Sequence, residues 1–176
     1  MFSYLNRARV VPRTTIAAFL LCCVAPAVSA ESPLFQNLKS DAFDTIDDYR
    51  QPGKWMIVMI WAHDCQVCER EVGDYQRLHR RHVGDDALVL GITLDGEQGK
   101  QQALDFMRRH ELEFDNLIGE PEVVAGYYQL TTGSRWVGTP SFLIFAPDGE
   151  LMAKQAGAVE VEIVENFIAA NTQVEQ

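Results

Sequence analysis

The stretch that decides the fold is WMIVMIWAHDCQVC, residues 55–68. It opens with an unbroken apolar run over 55–61, and a run without alternation is typical of a strand that is buried on both faces. Cys65 and Cys68 follow this run directly. After the cysteines, apolar residues recur with helical spacing at Val72, Tyr75 and Leu78. The sequence therefore predicts a buried strand, a Cys-x-x-Cys motif at its end, and a helix that begins at the motif.

The positions of the two cysteines predict different chemical roles for them. Cys65 would lie at the helix N-terminus, where unpaired backbone N–H groups and the positive end of the helix dipole stabilise a thiolate. Cys68 would lie one turn later and be partly covered. We therefore expect Cys65 to attack a substrate disulfide as the nucleophile. Cys68 would then resolve the mixed disulfide and leave a Cys65–Cys68 bond.

The rest of the chain predicts an alternation of strands and helices. A second apolar run covers 87–94, and a helical pattern follows it from Ala103 to His110. This order indicates a right-handed crossover and a parallel pair of strands. Further elements are expected as a short edge strand over 114–118, a helix over 121–130, a hairpin of strands 141–146 and 151–155, and a helix around 163–168. Residues 31–52 are polar and mixed, which predicts a short lead-in.

Composition and charge limit the classes of function. The chain has 176 residues, of which 47% are hydrophobic, enough for one globular domain with a real core and too few for two. The formal net charge is −10, from 15 Lys and Arg against 25 Asp and Glu. Nucleic-acid binding usually rests on clustered Lys and Arg that displace counterions, so the balance disfavours a nucleic-acid partner.

Residues 1–30 have the pattern of a secretory signal peptide. Three arginines precede an apolar run over 16–28, which ends in the small residues Val28-Ser29-Ala30 of a cleavage site. The run is shorter than the roughly 20 residues that a membrane-spanning helix needs, although an uncleaved N-terminal anchor stays open. Cys22 and Cys23 lie inside this segment. The pattern predicts export to the periplasm of a domain over 31–176.

The Cys-x-x-Cys pair also allows interpretations other than redox chemistry. A zinc site needs about four ligands, and the sequence offers no second cysteine pair for one. His63 together with Cys65 and Cys68 could hold a copper or zinc ion, which leaves a metal-binding interpretation open. A purely structural disulfide is a weaker interpretation, because a bond that closes so short a loop removes little conformational entropy from the unfolded chain. We expect redox chemistry, with no metal and no cofactor.

Two motifs together resemble the thioredoxin superfamily and, within it, the exported TlpA-like thiol:disulfide oxidoreductases. They are Cys65-Gln66-Val67-Cys68 after the apolar strand, and Gly138-Thr139-Pro140 before a second apolar strand over 141–145. The resemblance implies an α/β thioredoxin fold over 31–176, with a central mixed β-sheet and helices on both faces. It also implies that Pro140 is cis, in a loop that faces Cys65 and pairs with bound substrate, and that Thr139 touches the sulfurs.

The sequence also predicts which residues surround the cysteines, and the resemblance implies a partner that delivers electrons. Trp61 would form a wall beneath the pair. The other residues around the pair would be His63, Asp64, Gln66 and Val67. The expected partners are client proteins with disulfides or thiols, and a membrane-embedded thiol carrier that delivers electrons to an exported reductase.

Three features depart from the pattern of the superfamily: residue 59, the residues beside the cysteines, and the loop over 131–135, which is longer than usual. Met59 stands where cytoplasmic general reductants carry a buried acid that assists proton transfer, so the proton must move to water or to another group. Asp64 stands where relatives have an aromatic residue, and Gln66-Val67 where a proline is usual.

The carboxylates near the motif predict the direction of the reaction. The negative charges of Asp64, Glu69 and Glu71 disfavour a thiolate on Cys65. A less stable thiolate makes the disulfide form more stable relative to the dithiol form, which favours a reductase over an oxidase. A disulfide-forming oxidase or isomerase, and a copper-binding thioredoxin-like chaperone, remain alternatives. Peroxidase chemistry is disfavoured because no Thr-x-x-Cys arrangement precedes a lone cysteine.

Overall fold

The computed structural model describes residues 32–172. Within them the strands are β1 (Phe35–Asn37), β2 (Phe43–Asp44), β3 (Trp55–Trp61), β4 (Ala87–Thr93), β5 (Asp115–Ile118), β6 (Ser141–Phe145) and β7 (Leu151–Ala156). The helices are α1 (Gln66–His82), α2 (Gly96–Arg109), α3 (Pro121–Thr132) and α4 (Val161–Thr172), and a 3-10 turn covers Ile46–Tyr49. The predicted signal segment, residues 1–30, lies outside the described residues, and its cleavage stays a prediction.

The strands form one mixed sheet in the order β2-β1-β5-β4-β3-β6-β7. β3, β4 and β5 are parallel, whereas β6, β7, β1 and β2 join by antiparallel pairing. The parallel pair β3–β4 with α1 as its crossover confirms the prediction from the strand–helix–strand pattern. The architecture is the expected α/β thioredoxin fold.

The central strand β3 is buried along its whole length, because helices cover both of its faces. Its alternate side chains Ile57, Met59 and Trp61 belong to a core shared with α1, α2 and α4. The intervening side chains, Met56, Val58 and Ile60, belong to a second core on the opposite face, shared with α3 and the 3-10 turn. An apolar run without alternation is therefore the pattern that this position requires.

Two expectations about the sheet were wrong. Strand β5 is not at the edge, because β1 pairs with it through Gln36↔Ile118 and Asn37↔Leu117. Residues 31–52 are more than a lead-in, since they supply β1, β2 and the 3-10 turn, and Phe35 and Ile46 are buried in the core. Strands β1 and β2 are only three and two residues long, which is too short to show the alternation that identifies a strand from sequence.

No helix within residues 32–172 has both the length and the apolar character needed to cross a membrane.

Candidate active site

The two cysteines lie at the junction of β3 and α1, joined in a disulfide with their Cα atoms 5.2 Å apart. Cys65 is the N-cap of α1, and its Sγ accepts a hydrogen bond of 3.1 Å from the backbone N–H of Cys68. Cys68 is 0% exposed and belongs to the core, whereas Cys65 is half-buried at its border. An approaching sulfur therefore meets Cys65 first, and N–H groups of the first helical turn favour a thiolate there.

The Thr139–Pro140 peptide bond is cis, as the resemblance implies. The next residue, Ser141, pairs with Ile60 near the carboxyl end of β3. The register of the sheet therefore places the cis-proline close to the end of β3 from which the cysteine motif continues. Pro140 is buried, and its carbonyl accepts a hydrogen bond of 2.8 Å from the N–H of Gly157. Val137, in the loop just before it, is 75% exposed.

Trp61 is fully buried in the same core as Cys68, and half-buried Cys65 packs against that core. Its indole ring stacks on Phe106 with ring centroids 4.6 Å apart, and its Nε1 donates a hydrogen bond of 3.0 Å to the Oδ1 of Asn116. The side chain is thus held both by α2 and by β5, which gives the cysteine motif a rigid support.

The other residues expected around the cysteines differ in exposure. Asp64 and Gln66 are exposed, and His63 and Val67 are half-buried. A hydrogen bond of 3.2 Å from the N–H of Cys65 to the carbonyl of Ala62 closes a turn with His63 and Asp64 at its centre.

Sequence reasoning missed Asp95, which lies beside His63. The Nδ1 of His63 is 2.7 Å from the Oδ1 of Asp95, and the backbone N–H of His63 also donates to this carboxylate at 3.0 Å. The register of the sheet explains the contact: Trp61 pairs with Thr93, and His63 and Asp95 each stand two positions beyond that last pair. Equal offsets from paired positions at the carboxyl edge predict neighbouring side chains.

Sequence reasoning also underrated Glu71, which it treated only as a nearby charge. Its Oε2 is buried and has no hydrogen-bond partner within residues 32–172. Burial raises the pKa of Glu71, although the backbone N–H of Val159 and the charge of Arg70 act in the opposite direction. The available signal was its place three residues after Cys68 and four before Tyr75, both on the buried face of α1.

Ligand-type atoms of His63, Asp64 and Asp95 lie within 4.8 Å of one another. The hydrogen bonds from His63 to Asp95 account for the contact between these two, and Asp64 is exposed. We assign no metal to this set. A copper site of His63, Cys65 and Cys68 would form only in the reduced protein, and the structure describes the pair in its disulfide form.

The comparison with known proteins agrees with this architecture. The chain has a TM-score of 0.64 and 16% sequence identity to the thioredoxin domain of a thiol-disulfide oxidoreductase from Bacteroides vulgatus, over 79% of this chain and 94% of that one. A secreted Mycobacterium tuberculosis disulfide oxidoreductase, homologous to E. coli DsbE, gives a TM-score of 0.59 and 20% identity, over 79% of this chain and 96% of that one. The fold is therefore that of thiol:disulfide oxidoreductases, and it carries a Cys-x-x-Cys disulfide.

Two sequence comparisons also gave matches, of which one is short and the other covers most of the chain. Alkyl hydroperoxide reductase C from Mycobacterium tuberculosis is 36% identical over 58 residues, which are 32% of this chain and 30% of that protein. The chain thus matches less than a third of the length of this curated relative. The model of the AhpC/TSA family, by contrast, matches residues 25–154. Because this match includes β1 to β6 and both motifs, the chain belongs to the AhpC/TSA family.

Proposed function

We propose that this protein is an exported thiol:disulfide oxidoreductase that reduces disulfides of specific extracytoplasmic proteins through a dithiol–disulfide cycle of Cys65 and Cys68. The observation that carries the proposal is the contrast between the two bonded sulfurs. Cys65 is half-buried at the N-terminus of α1, whereas Cys68 is wholly buried behind it. A client sulfur can approach the first, and the second is shielded until Cys65 has reacted.

The cycle starts when Cys65 of the reduced dithiol gives up its proton and becomes a thiolate. It attacks one sulfur of the client disulfide, so that a Cys65–client bond forms, the client bond breaks, and the leaving sulfur takes up a proton. Cys68 then loses its proton and attacks Sγ of Cys65, which forms the Cys65–Cys68 disulfide and releases the second client thiol. The client gains two electrons and two protons, and the dithiol of the protein supplies both.

The proton of Cys68 needs an acceptor, which the buried Met59 cannot be. We assign this role to Glu71, which lies three residues later on the same helix and therefore close to the same face. Burial raises the pKa of Glu71, so this carboxylate binds a proton more readily than an exposed one.

The loop before β6 would receive the client polypeptide. Thr139 and the cis-linked Pro140 stand at the edge of the sheet where the cysteine motif begins, as the register Ile60↔Ser141 requires. Exposed Val137 would contact an apolar side chain of the client next to the disulfide. Client selection would therefore depend on this loop.

Each turn of the cycle leaves the protein oxidised, so an external reductant must return two electrons. In an exported protein the suitable donor is a membrane-embedded thiol carrier. The signal-like pattern of residues 1–30 supports export, and one structural neighbour is described as secreted.

The reduction potential of the Cys65–Cys68 pair tests the direction of the reaction. It is measured by equilibration of the protein in dithiothreitol or glutathione buffers, with alkylation of free thiols as the readout. A value of about −230 mV or lower is expected for a reductase, and a value of about −120 to −180 mV would instead identify an oxidase or isomerase.

Trapping of clients tests the assignment of the two sulfurs. Cys68→Ser should accumulate mixed disulfides with exported proteins, because Cys65 still attacks and nothing resolves the product. Cys65→Ser is the matched control, and it should trap nothing since its remaining thiol is buried. Equal trapping by the two variants, or none by either, would contradict the proposed cycle.

A further inference from the structure

Three groups donate hydrogen bonds to the side chain of Asp95, where the parallel strands end at their carboxyl ends. The donors are the backbone N–H of His63 at 3.0 Å, its ring Nδ1 at 2.7 Å, and the hydroxyl of Thr93 at 2.5 Å. The side chain of Asp95 is only 5% exposed, whereas that of His63 is 35% exposed. A buried carboxylate thus holds one side of an imidazole whose other side faces the surface.

The side chain of Asp95 does not cap the helix that it precedes. It is the N-cap of α2, where an aspartate usually accepts a hydrogen bond from the first turn, yet it makes no such bond. Glu120 takes that place, because its Oε1 accepts a hydrogen bond of 3.0 Å from the N–H of Glu97. The carboxylate of Asp95 is therefore free to bind His63.

Gly99 makes room for this arrangement. A Cβ at residue 99 would lie 2.7 Å from the Cβ of Asp95, closer than real Cβ atoms come to other atoms. A side chain at residue 99 would therefore press against Asp95, and glycine leaves the carboxylate in contact with His63.

We propose that Asp95 is a positioning residue that orients His63 to exchange protons with the sulfur of Cys65 during disulfide exchange. This inference rests on the proposed function. A carboxylate can only accept hydrogen bonds, so the contact with Asp95 places the ring proton on Nδ1 and leaves Nε2 as the base. Within residues 32–172, Nε2 of His63 has no hydrogen-bond partner. His63 lies at the first central position of the turn that the N–H of Cys65 and the carbonyl of Ala62 close, two residues before the nucleophile in the chain.

The proton transfers balance the exchange reaction. Nε2 of His63 takes the proton of the Cys65 thiol, and the resulting thiolate attacks the client disulfide. The imidazolium then returns this proton to the client sulfur that leaves, so His63 ends the step as it began. The arrangement compensates for Met59, which stands in the core where a proton-transferring acid would otherwise lie.

The charged groups that contact or adjoin His63 are acidic. Asp95 contacts it from the end of β4, and exposed Asp64 lies next to it in the turn. Glu120, the N-cap of α3, accepts a hydrogen bond from the first turn of α2 through the N–H of Glu97.

The test compares the pH dependence of Cys65 alkylation in full-length variants that all carry Cys68→Ser. Iodoacetamide is the probe, and the modified peptide is quantified by mass spectrometry from pH 5 to 10. His63→Asn and Asp95→Asn should slow alkylation at pH 7 by about tenfold, since the thiol loses its proton acceptor. At pH 10 the thiol ionises unaided, and all rates should converge.

Asp86→Asn is the matched control, because Asp86 accepts from Nδ1 of His82 at the same distance of 2.7 Å, at the far end of α1. It should leave the profile unchanged. A His63→Asn profile that coincides with the parent profile over the whole pH range would overturn the inference. Asp95→Asn keeps the size of the side chain at the N-cap, so it supplies the answer if His63→Asn fails to fold.

A separate assay distinguishes this inference from the proposed function. The wild-type protein is tested for reduction of insulin disulfides. Reduction by the wild type together with coincident alkylation profiles refutes only the role of His63 and Asp95. If the wild type reduces no disulfide and the His63→Asn profile differs from the parent profile, the proposed function fails and the proton exchange stands.

Discussion

Trp61 donates a buried hydrogen bond of 3.0 Å from its Nε1 to the Oδ1 of Asn116, across the intervening strand β4. Gly91 lies on that strand between them, and a Cβ there would overlap the side chain of Asn116 and come within 2.9 Å of the indole nitrogen. The end of β3, which carries the cysteine motif, is therefore tied to β5 by side chains as well as by the sheet.

Asn116→Ala should destabilise the protein. The substitution leaves the buried indole N–H without a partner, which costs about 1–3 kcal/mol in the free energy of unfolding. Urea unfolding of the variant and the wild type measures this difference. Asn166→Ala, at an exposed position on α4, should change the free energy of unfolding by less than about 0.5 kcal/mol. Equal effects of the two substitutions would show that the buried bond contributes nothing.

Glu71→Gln should stabilise the fold and slow the resolving step. Burial raises the pKa of Glu71 in the folded state, so its contribution to stability is fully present below the unfolded pKa and is lost as pH rises through the folded pKa. The variant should therefore have a higher urea midpoint than the wild type at pH 7, with a smaller difference at pH 4. Release of client from the mixed disulfide should slow by at least about tenfold, because Cys68 loses its proton acceptor.

Glu150→Gln is the control for this prediction, since Glu150 is exposed in the β6–β7 turn. It should change neither the midpoint nor the release rate. A Glu71→Gln variant with wild-type release across the pH range would remove Glu71 from the mechanism.

His82→Asn should destabilise the protein more in acid than in alkali. Its Nδ1 is 2.7 Å from Asp86 and its Nε2 is 3.1 Å from Glu165. Burial alone would lower the pKa of His82, but the hydrogen bonds to Asp86 and Glu165 raise it on balance. The stabilisation is therefore fully present below the unfolded pKa and is lost as pH rises through the folded pKa.

The expected loss for His82→Asn is a few tenths to about 1 kcal/mol at pH 5, given the partial exposure of these groups, and less at pH 9. Urea unfolding at both pH values measures it. Glu165→Gln should reduce the pH dependence, because it removes one of the two partners. A loss of the same size at both pH values would mean that the ring acts by packing alone.

The protein should not reduce hydrogen peroxide at a rate comparable to disulfide exchange. The half-buried Cys65 forms a disulfide with Cys68, three residues away. The sequence has no Thr-x-x-Cys arrangement before a lone cysteine. Peroxide consumption with dithiothreitol as reductant should equal that of Cys65→Ser. Fast, Cys65-dependent consumption would instead assign a peroxidase activity, as the name of the matched curated relative suggests for that protein.

Features that depend on neighbouring residues could be predicted from the sequence. The unbroken apolar run 55–61 predicted a strand covered on both faces, and the motif after it predicted a helix that begins at Cys65. The parallel β3–β4 pair and the β6–β7 hairpin followed from similar local patterns. In each case the periodicity or the turn residues reflect burial along one continuous stretch of chain.

Features that depend on contacts between distant residues could not be predicted in this way. The short β1 strand gives no periodicity, yet it covers β5 and moves that strand into the interior of the sheet. The surroundings of Glu71 likewise include the backbone N–H of Val159, which lies far along the sequence.

The sequence by itself determined the chemistry of the candidate site, because a Cys-x-x-Cys pair at a strand–helix junction is a local arrangement and the helix end acts on the nearest sulfur. Only the tertiary structure decided which groups surround that pair. Asp95 meets His63 because two parallel strands end side by side, with Trp61 opposite Thr93. Pairing of strands is a property of the packed sheet, and residues separated by a helix in sequence become neighbours only when that sheet forms.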